Sequence, residues 1–255
     1  MQLTAFLLLI VIALAAWYFF SGGKKPAAIS SFEIDLNFLQ KNILFYAKLN
    51  PEQQAQFRAD MKDFLTVTRI TGAGTAVTDA DKMPVAAGAI LPVFHFPRGQ
   101  YRNTKEVIIY PENFNHGFDI SGNKDRNILG MVGSGYMEGT MILSRHAMEQ
   151  SFRNKTDKHN TVIHEFVHLL DKADGDTDGI PQVLMDQQYV IPWLDMIQQE
   201  MQKIKAGHSD IDPYAYTSKT EFFAVVAEYF FERPDLLNTK HPKLYEMMEE
   251  LFVKQ

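Results

Sequence analysis

The sequence predicts an α+β domain behind an N-terminal transmembrane helix, and three observations carry that prediction. Leu3 to Phe20 form an apolar run interrupted only by Thr4. Short apolar runs separated by Gly- and Asn-rich stretches fill the middle of the chain, the pattern of a small sheet. Segments with apolar residues at helical spacing bracket them on both sides, so helices packed against one sheet are expected.

In chain order, the first element is the apolar run. A helix of about 18 residues spans about 27 Å, close to the hydrocarbon thickness of a bilayer. Trp17-Tyr18-Phe19-Phe20 suits an interfacial aromatic belt at its end. A cleaved signal peptide, for which Ala13-Leu14-Ala15-Ala16 offers small residues, is the minor alternative, since the start is Met1-Gln2 without a basic residue and the run ends in aromatics. An amphipathic helix packed on a core would show a polar face, and none exists at any helical spacing. Lys24 and Lys25 follow the run and no basic residue precedes it. The positive-inside rule then gives a single-pass protein of the inner (cell) membrane with its C-terminal domain in the cytoplasm. Residues 1–20 are thus expected as the anchor, 21–31 (SGGKKPAAISS) as a linker, and 32–255 as the domain.

Within the domain, Asn50-Pro51-Glu52-Gln53 supplies an N-cap, a Pro at N1 and a capping-box partner. Phe57, Met61, Phe64 and Leu65 then form a core-facing helical stripe. Gly72-Ala73-Gly74 follows that helix and lacks a third glycine, so it reads as a turn and not as a nucleotide loop. From Val85 to Leu143 the pattern is β-like, with strands at Val107-Ile108-Ile109-Tyr110 and Gly139–Ser144. A helix after Pro192 with Trp193, Ile197, Met201 and Ile204, and a last one at Leu244–Phe252, read as structural.

Composition bounds the chemistry. The chain has 255 residues, 46% of them hydrophobic, a net charge of −6 and no cysteine. Disulfides, thiolate metal sites, iron–sulfur clusters and a cysteine nucleophile are therefore excluded. The excess of 31 acidic over 25 basic residues argues against direct nucleic-acid binding, which needs a basic footprint.

The chemistry concentrates in residues 160–171, NTVIHEFVHLLD. Val162, Ile163, Phe166, Val167, Leu169 and Leu170 make an apolar helix, and Asn160 is its N-cap. His164 and His168 stand at i and i+4, on one face, where two imidazoles can converge on one ion. Glu165 points about 100° round the helix, flanking the ion in position to take a proton from a bound water. Burying three titratable groups in an apolar helix without a shared purpose would cost several kcal/mol. A single zinc ion is the expected cofactor.

A catalytic zinc held by two histidines needs a third protein ligand and an open position. The HExxHxxGxxH continuation fails, because Asp171 and Asp174 occupy the Gly and His places. Asp174 and His208 stay as minor alternatives, and a glutamate from a second helix is the main route. Glu221 and Glu228 share one face of the segment Ser218–Phe231, and the residues alone leave both open, with Glu221 preferred. Ser218-x-x-Glu221 is also a capping box, so that carboxylate has a competing purely structural use. Glu228 is otherwise an acceptor for a ligand's second nitrogen. Asp171, on the His164/His168 face, reads as a carboxylate holding an imidazole in place, against the alternative of a surface acid at a helix end. Asp174 to Gly179 mimics half of an EF-hand loop, but position 12 is Met185 where a Glu is required, so a polar loop is expected there.

HEFVHLLD followed at a distance by Tyr-x6-Glu-Phe-Phe-Ala resembles the zinc peptidases of the Mlc titration factor family. The catalytic domain of anthrax lethal factor shares the shorter local pattern. The resemblance extends from about Phe32 to the C-terminus and includes Ile70–Tyr110, Thr140–Ser144 and Asp178-Gly179-Ile180-Pro181. It implies a zincin-like metallopeptidase domain acting on a peptide or protein substrate. By it His164, His168 and Glu221 match the zinc ligands, Glu165 the general base, and Tyr214 a tyrosine that stabilises the oxyanion, with Tyr216 its competitor. It also implies an extended substrate pairing with an edge strand, for which Gly139–Ser144 is the expected segment. Because the family binds a transcriptional repressor, the alternative function is a membrane-tethered regulatory module in which zinc mainly organises the site.

Overall fold

The computed structural model describes residues 32–97, 101, 104–115, 117–119, 127–154 and 156–253. The expected anchor at 1–20 and linker at 21–31 lie outside these. Among the described residues no helix is long and apolar enough to cross a membrane. One unit begins at Ile34 and runs to the C-terminus.

Three helices open it: α1 (Leu36–Asn42), α2 (Leu44–Lys48) and α3 (Pro51–Val67). The start of α3 carries both halves of the expected capping box, with the Gln53 N–H donating to Asn50 Oδ1 at 2.9 Å and the Asn50 N–H to Gln53 Oε1 at 3.1 Å. Phe57, Met61 and Phe64 of its stripe are buried, while Leu65 sits at the margin. Strand β1 (Arg69–Gly72) follows directly, and Gly74 turns the chain with φ +67°.

The next element differs from the sequence expectation. Asp79–Ile90 is a helix, α4, although the β-like stretch was expected to begin at Val85. Met83 through Ile90 are all buried, so no polar face marks a helical period, and a continuous apolar run does not tell a buried helix from a buried strand. The small residues have a packing reason. A Cβ at Gly88 would stand 2.5 Å from Val162 Cγ1, so α4 lies tight against the helix that carries the His-Glu-x-x-His pattern.

Strands β2 (Glu106–Tyr110), β3 (Gly130–Val132) and β4 (Thr140–Ser144) complete one sheet of order β1-β2-β4-β3. β1 runs parallel to β2 and β2 parallel to β4, with Val107 opposite Met141 and Ile109 opposite Leu143. β3 runs antiparallel to β4, with Met131 opposite Ile142. The edge beside β4 is therefore β3, which corrects the expectation that Gly139–Ser144 would offer a free edge. β4 is paired on both sides and its residues Met141–Ser144 are buried, as the apolar Met-Ile-Leu run of a central strand requires.

The remaining elements are helical: α5 (Arg145–Ser151), α6 (Thr161–Asp171), α7 (Gln187–Lys205), α8 (Lys219–Glu232), α9 (Pro234–Lys240) and α10 (Pro242–Phe252). α7 already begins at Gln187 and takes Pro192 into its interior, where the sequence placed the helix only after that proline. α6 and α8 pack against each other, and Phe166 on the one and Phe222, Phe223 and Val226 on the other are fully buried. A small sheet packed with helices is thus the observed α+β architecture.

Arg145, the first residue of α5, holds the loop after β1 and the start of α4 together. It reaches Asp81 at 2.7 and 3.2 Å and Thr75 Oγ1 at 2.8 Å. Asp81 is 6% exposed, so removing its charged partner leaves a buried carboxylate with only the Thr78 N–H and hydroxyl as donors among the described residues. Arg145→Leu is expected to cost about 3 kcal/mol in urea unfolding.

Candidate functional site

The helix α6 is set by its first residue. Asn160 is fully buried at the N-cap, with Oδ1 accepting the Ile163 N–H at 3.1 Å. Its amide donates to Ser151 O at 3.3 Å and to Glu232 Oε1 at 2.6 Å, and its backbone N–H donates to Glu228 Oε2. Burial pushes the Glu232 carboxyl up to about 7. Val162, Ile163, Phe166, Val167, Leu169 and Leu170 face the core. What remains is a narrow polar face holding His164 and His168, whose Nε2 atoms stand 3.0 Å apart.

Glu221 completes the group from the first turn of α8. Ser218 accepts the Glu221 N–H at 3.0 Å, which is half of a capping box. The carboxylate goes elsewhere, with Oε2 at 3.0 Å from His164 Nε2 and 3.5 Å from His168 Nε2. This contrasts with Asn50 and Gln53, where both halves close. Glu228 takes the other side of His164, receiving Nδ1 at 2.7 Å. With that nitrogen donating, the lone pair of His164 lies on Nε2 and faces His168 and Glu221.

The electrostatics show what the group wants. Burial opposes ionising Glu221, but its interaction with His164 and His168 outweighs that and holds its pKa well below the carboxylate range. Burial likewise opposes protonating His164, yet Glu228 and Glu221 raise it well above the usual imidazole value. The cluster therefore attracts positive charge. Glu221 Oε2 is buried and accepts no hydrogen bond among the described residues. One ligand atom from each of His164, His168 and Glu221 fits within a 4.8 Å span. Two imidazole nitrogens and an orphaned carboxylate oxygen facing one point suit a divalent cation. Neither sequence alternative joins them: Asp174 accepts the N–H groups of Asp176 and Gln182, and His208 is exposed.

A cleft of about 820 Å³ opens over this point, walled by β3 on one side and by Tyr214 and α8 on the other. Tyr214 lies in the turn Pro213–Tyr216, capped by Asp212 Oδ1 at 2.8 Å, with its ring 6.2 Å from that of His164. Burial and the carboxylates of Glu221 and Glu165 raise its pKa. Tyr216 faces away, under the Lys205 ammonium at 5.6 Å. Glu165 is 5% exposed, and burial raises its pKa against the opposing pull of His164 and His168.

Asp171 is fully buried, and both its oxygens accept the Gly179 N–H, at 2.9 and 3.1 Å. Burial is the main reason its carboxyl is pushed up to about 6. The sequence pointed to an imidazole for this carboxylate, whereas its hydrogen bonds tie the helix end to the following loop.

One residue escaped the sequence reading altogether. A Cβ at Gly130 of β3 would stand 2.7 Å from both Cγ and Oε1 of Glu165. The missing side chain makes room for the Glu165 carboxylate beneath the edge strand. Nothing local marks this glycine, since its neighbour is brought to it only by the fold. Gly130→Ala is expected to destabilise the protein by about 1–3 kcal/mol, as overpacking does. The penalty should vanish in a Glu165→Ala background, where the room is restored, and thermal melts of the four chains check this.

The sequence is similar to known proteins. An uncharacterized protein of Synechocystis sp. is 28% identical over 221 residues, covering 82% of this chain and 79% of the relative. Mlc titration factor A of Pectobacterium atrosepticum is 28% identical over 226 residues, covering 83% of each chain. The protein of that name from Yersinia pestis is 29% identical over 222 residues, covering 80% of this chain and 79% of the relative. The model of the glucose-regulated metallo-peptidase M90 family matches residues 29–253, which takes in both α6 and α8. The chain belongs to this family of metallo-peptidases.

Proposed function

We propose that this chain is a zinc-dependent peptidase that hydrolyses peptide bonds with Glu165 as general base. The observation that carries the reading is the convergence of His164 Nε2, His168 Nε2 and the orphaned Glu221 Oε2, with the Glu165 carboxylate alongside. Two neutral nitrogens and one carboxylate oxygen are the donors of a catalytic zinc site with an open position. When bound there, zinc polarises a carbonyl and makes water acidic near neutral pH.

The chain's own groups supply the rest. Glu228 holds His164 in the tautomer that presents Nε2. Glu165, desolvated and basic, takes the proton of the attacking water and passes it to the leaving amine. Tyr214, whose phenol burial and nearby carboxylates keep protonated, donates a hydrogen bond to the developing oxyanion. The substrate lies extended along β3. Leu129 and Gly133 bond to β4 at 2.8 Å, so the alternation of an antiparallel ladder turns the backbone groups of Gly130 and Val132 outward. A peptide paired there passes directly over Glu165.

The name of the Mlc titration factor A relatives supports a second reading, in which this chain binds a transcriptional repressor. The apolar run Leu3–Phe20 supports a membrane anchor, with the domain on the cytoplasmic side. Full-length protein is then expected in the membrane fraction and resistant to carbonate extraction.

Glu165→Gln is expected to keep its zinc and lose at least about 100-fold in peptide cleavage, measured on a mixed peptide library beside bound-metal analysis. Cleavage that survives with zinc in place would sink the mechanism. Tyr214→Phe should lower kcat about 100-fold with metal content unchanged. Wild-type protein that retains a repressor partner but cleaves nothing would favour the second reading.

A further inference from the structure

We propose that Asp171, Gly179 and Trp193 form a clamp that sets where Glu221 stands relative to His164 and His168; the proposal rests on the metal-site reading above. Asp171 is the last residue of α6, the helix that carries both histidines. Its carboxylate is sealed from solvent and spends its hydrogen bonds on one backbone group, the Gly179 N–H. A carboxylate is an expensive group to bury for a loop contact alone, so the position of Gly179 has to matter.

Gly179 is built to approach a neighbour closely. Its φ is +78°, a conformation that side chains disfavour. A Cβ there would stand 2.5 Å from the carbonyl oxygen of Lys219 and 2.6 Å from its carbonyl carbon. Lys219 is the first residue of α8, and Glu221 lies in the same turn. The loop after α6 therefore abuts the backbone from which Glu221 projects.

Trp193 closes the clamp from α7. Its indole Nε1 donates to Gly179 O at 2.7 Å. Its ring, fully buried, packs against Phe222 at 6.0 Å and Phe223 at 5.8 Å, the two residues that follow Glu221. The turn that holds Glu221 is thus gripped on its backbone by Gly179 and on its next two side chains by Trp193. Both grips lead back through Gly179 to Asp171 and the histidine helix. Asp171 and Trp193 are positioning residues: they act on the metal point through the placement of Glu221. This also gives Asp178-Gly179-Ile180-Pro181 a purpose beyond a polar loop.

The test is zinc affinity of the full chain, by competition with a chromophoric chelator, for Glu221→Ala and for Asp171→Ala, Asp171→Asn and Trp193→Phe, each of these three alone and combined with Glu221→Ala. Asp171→Ala is expected to weaken zinc binding about 10-fold, the usual scale for a supporting group. Asp171→Asn keeps an acceptor for the Gly179 N–H and should retain most of the affinity. Trp193→Phe keeps an aromatic ring between Phe222 and Phe223 but loses the donor to Gly179 O, and should weaken binding as well. Neither Asp171→Ala nor Trp193→Phe should weaken zinc further once Glu221 is alanine, because the group they place is gone. Normal zinc affinity in both Asp171→Ala and Trp193→Phe, or an undiminished loss in the Glu221→Ala background, overturns the clamp while leaving the metal site intact. A Glu221→Ala chain that binds zinc as tightly as wild type overturns the metal-site reading and the clamp together.

Discussion

The structure depends on keeping three donor groups from two helices within 4.8 Å of one another at the floor of a cleft. Imidazole nitrogens 3.0 Å apart, with a carboxylate oxygen 3.0 Å from one of them, form an arrangement that an ordinary core would not hold together. Each group gives up part of its solvent, and the compensation comes from the others and, for His164, from Glu228. The packing of α6 against α8 follows from this demand. Both helices bury their apolar side chains, and their polar groups meet along one narrow seam.

The supports around that seam divide the work by position. At the start of α6, Asn160 binds two carboxylates of α8, Glu228 and Glu232, so both helices share one polar joint. Glu228 then turns back to His164. At the far end of α6, Asp171 secures the chain as it leaves the helix. Between the two ends, Gly130 leaves space for Glu165 under the sheet edge. The sheet thus serves the site through its last strand, β3, and central strands β2 and β4 act as the rigid backing that fixes that edge.

Much of this was legible in the sequence, for identifiable reasons. His164, Glu165 and His168 lie within one helical turn, so their mutual geometry is a local property of α6. The capping box at Asn50 and the N-cap at Asn160 are equally local, and both form. Glu221 was harder, because Ser218 gives its carboxylate a local use that only the neighbouring helix overrides. The helix at Asp79–Ile90 was misread because a segment buried on every side carries no period. The edge strand was misplaced because a short run such as Gly130–Val132 gains its identity from pairing with β4.

By itself the sequence determined the chemical inventory and the one helix on which it concentrates. The absence of cysteine and the i, i+4 histidines are enough to specify nitrogen and carboxylate donors, since spacing along a helix converts directly into distance. What only the tertiary structure decided is everything that depends on two segments meeting. It chose Glu221 to face the imidazoles and Glu228 to orient one of them, turned Tyr214 and not Tyr216 toward the cleft, and set β3 over Glu165. The physical reason is that such contacts are fixed by helix packing and strand order, which no local pattern encodes.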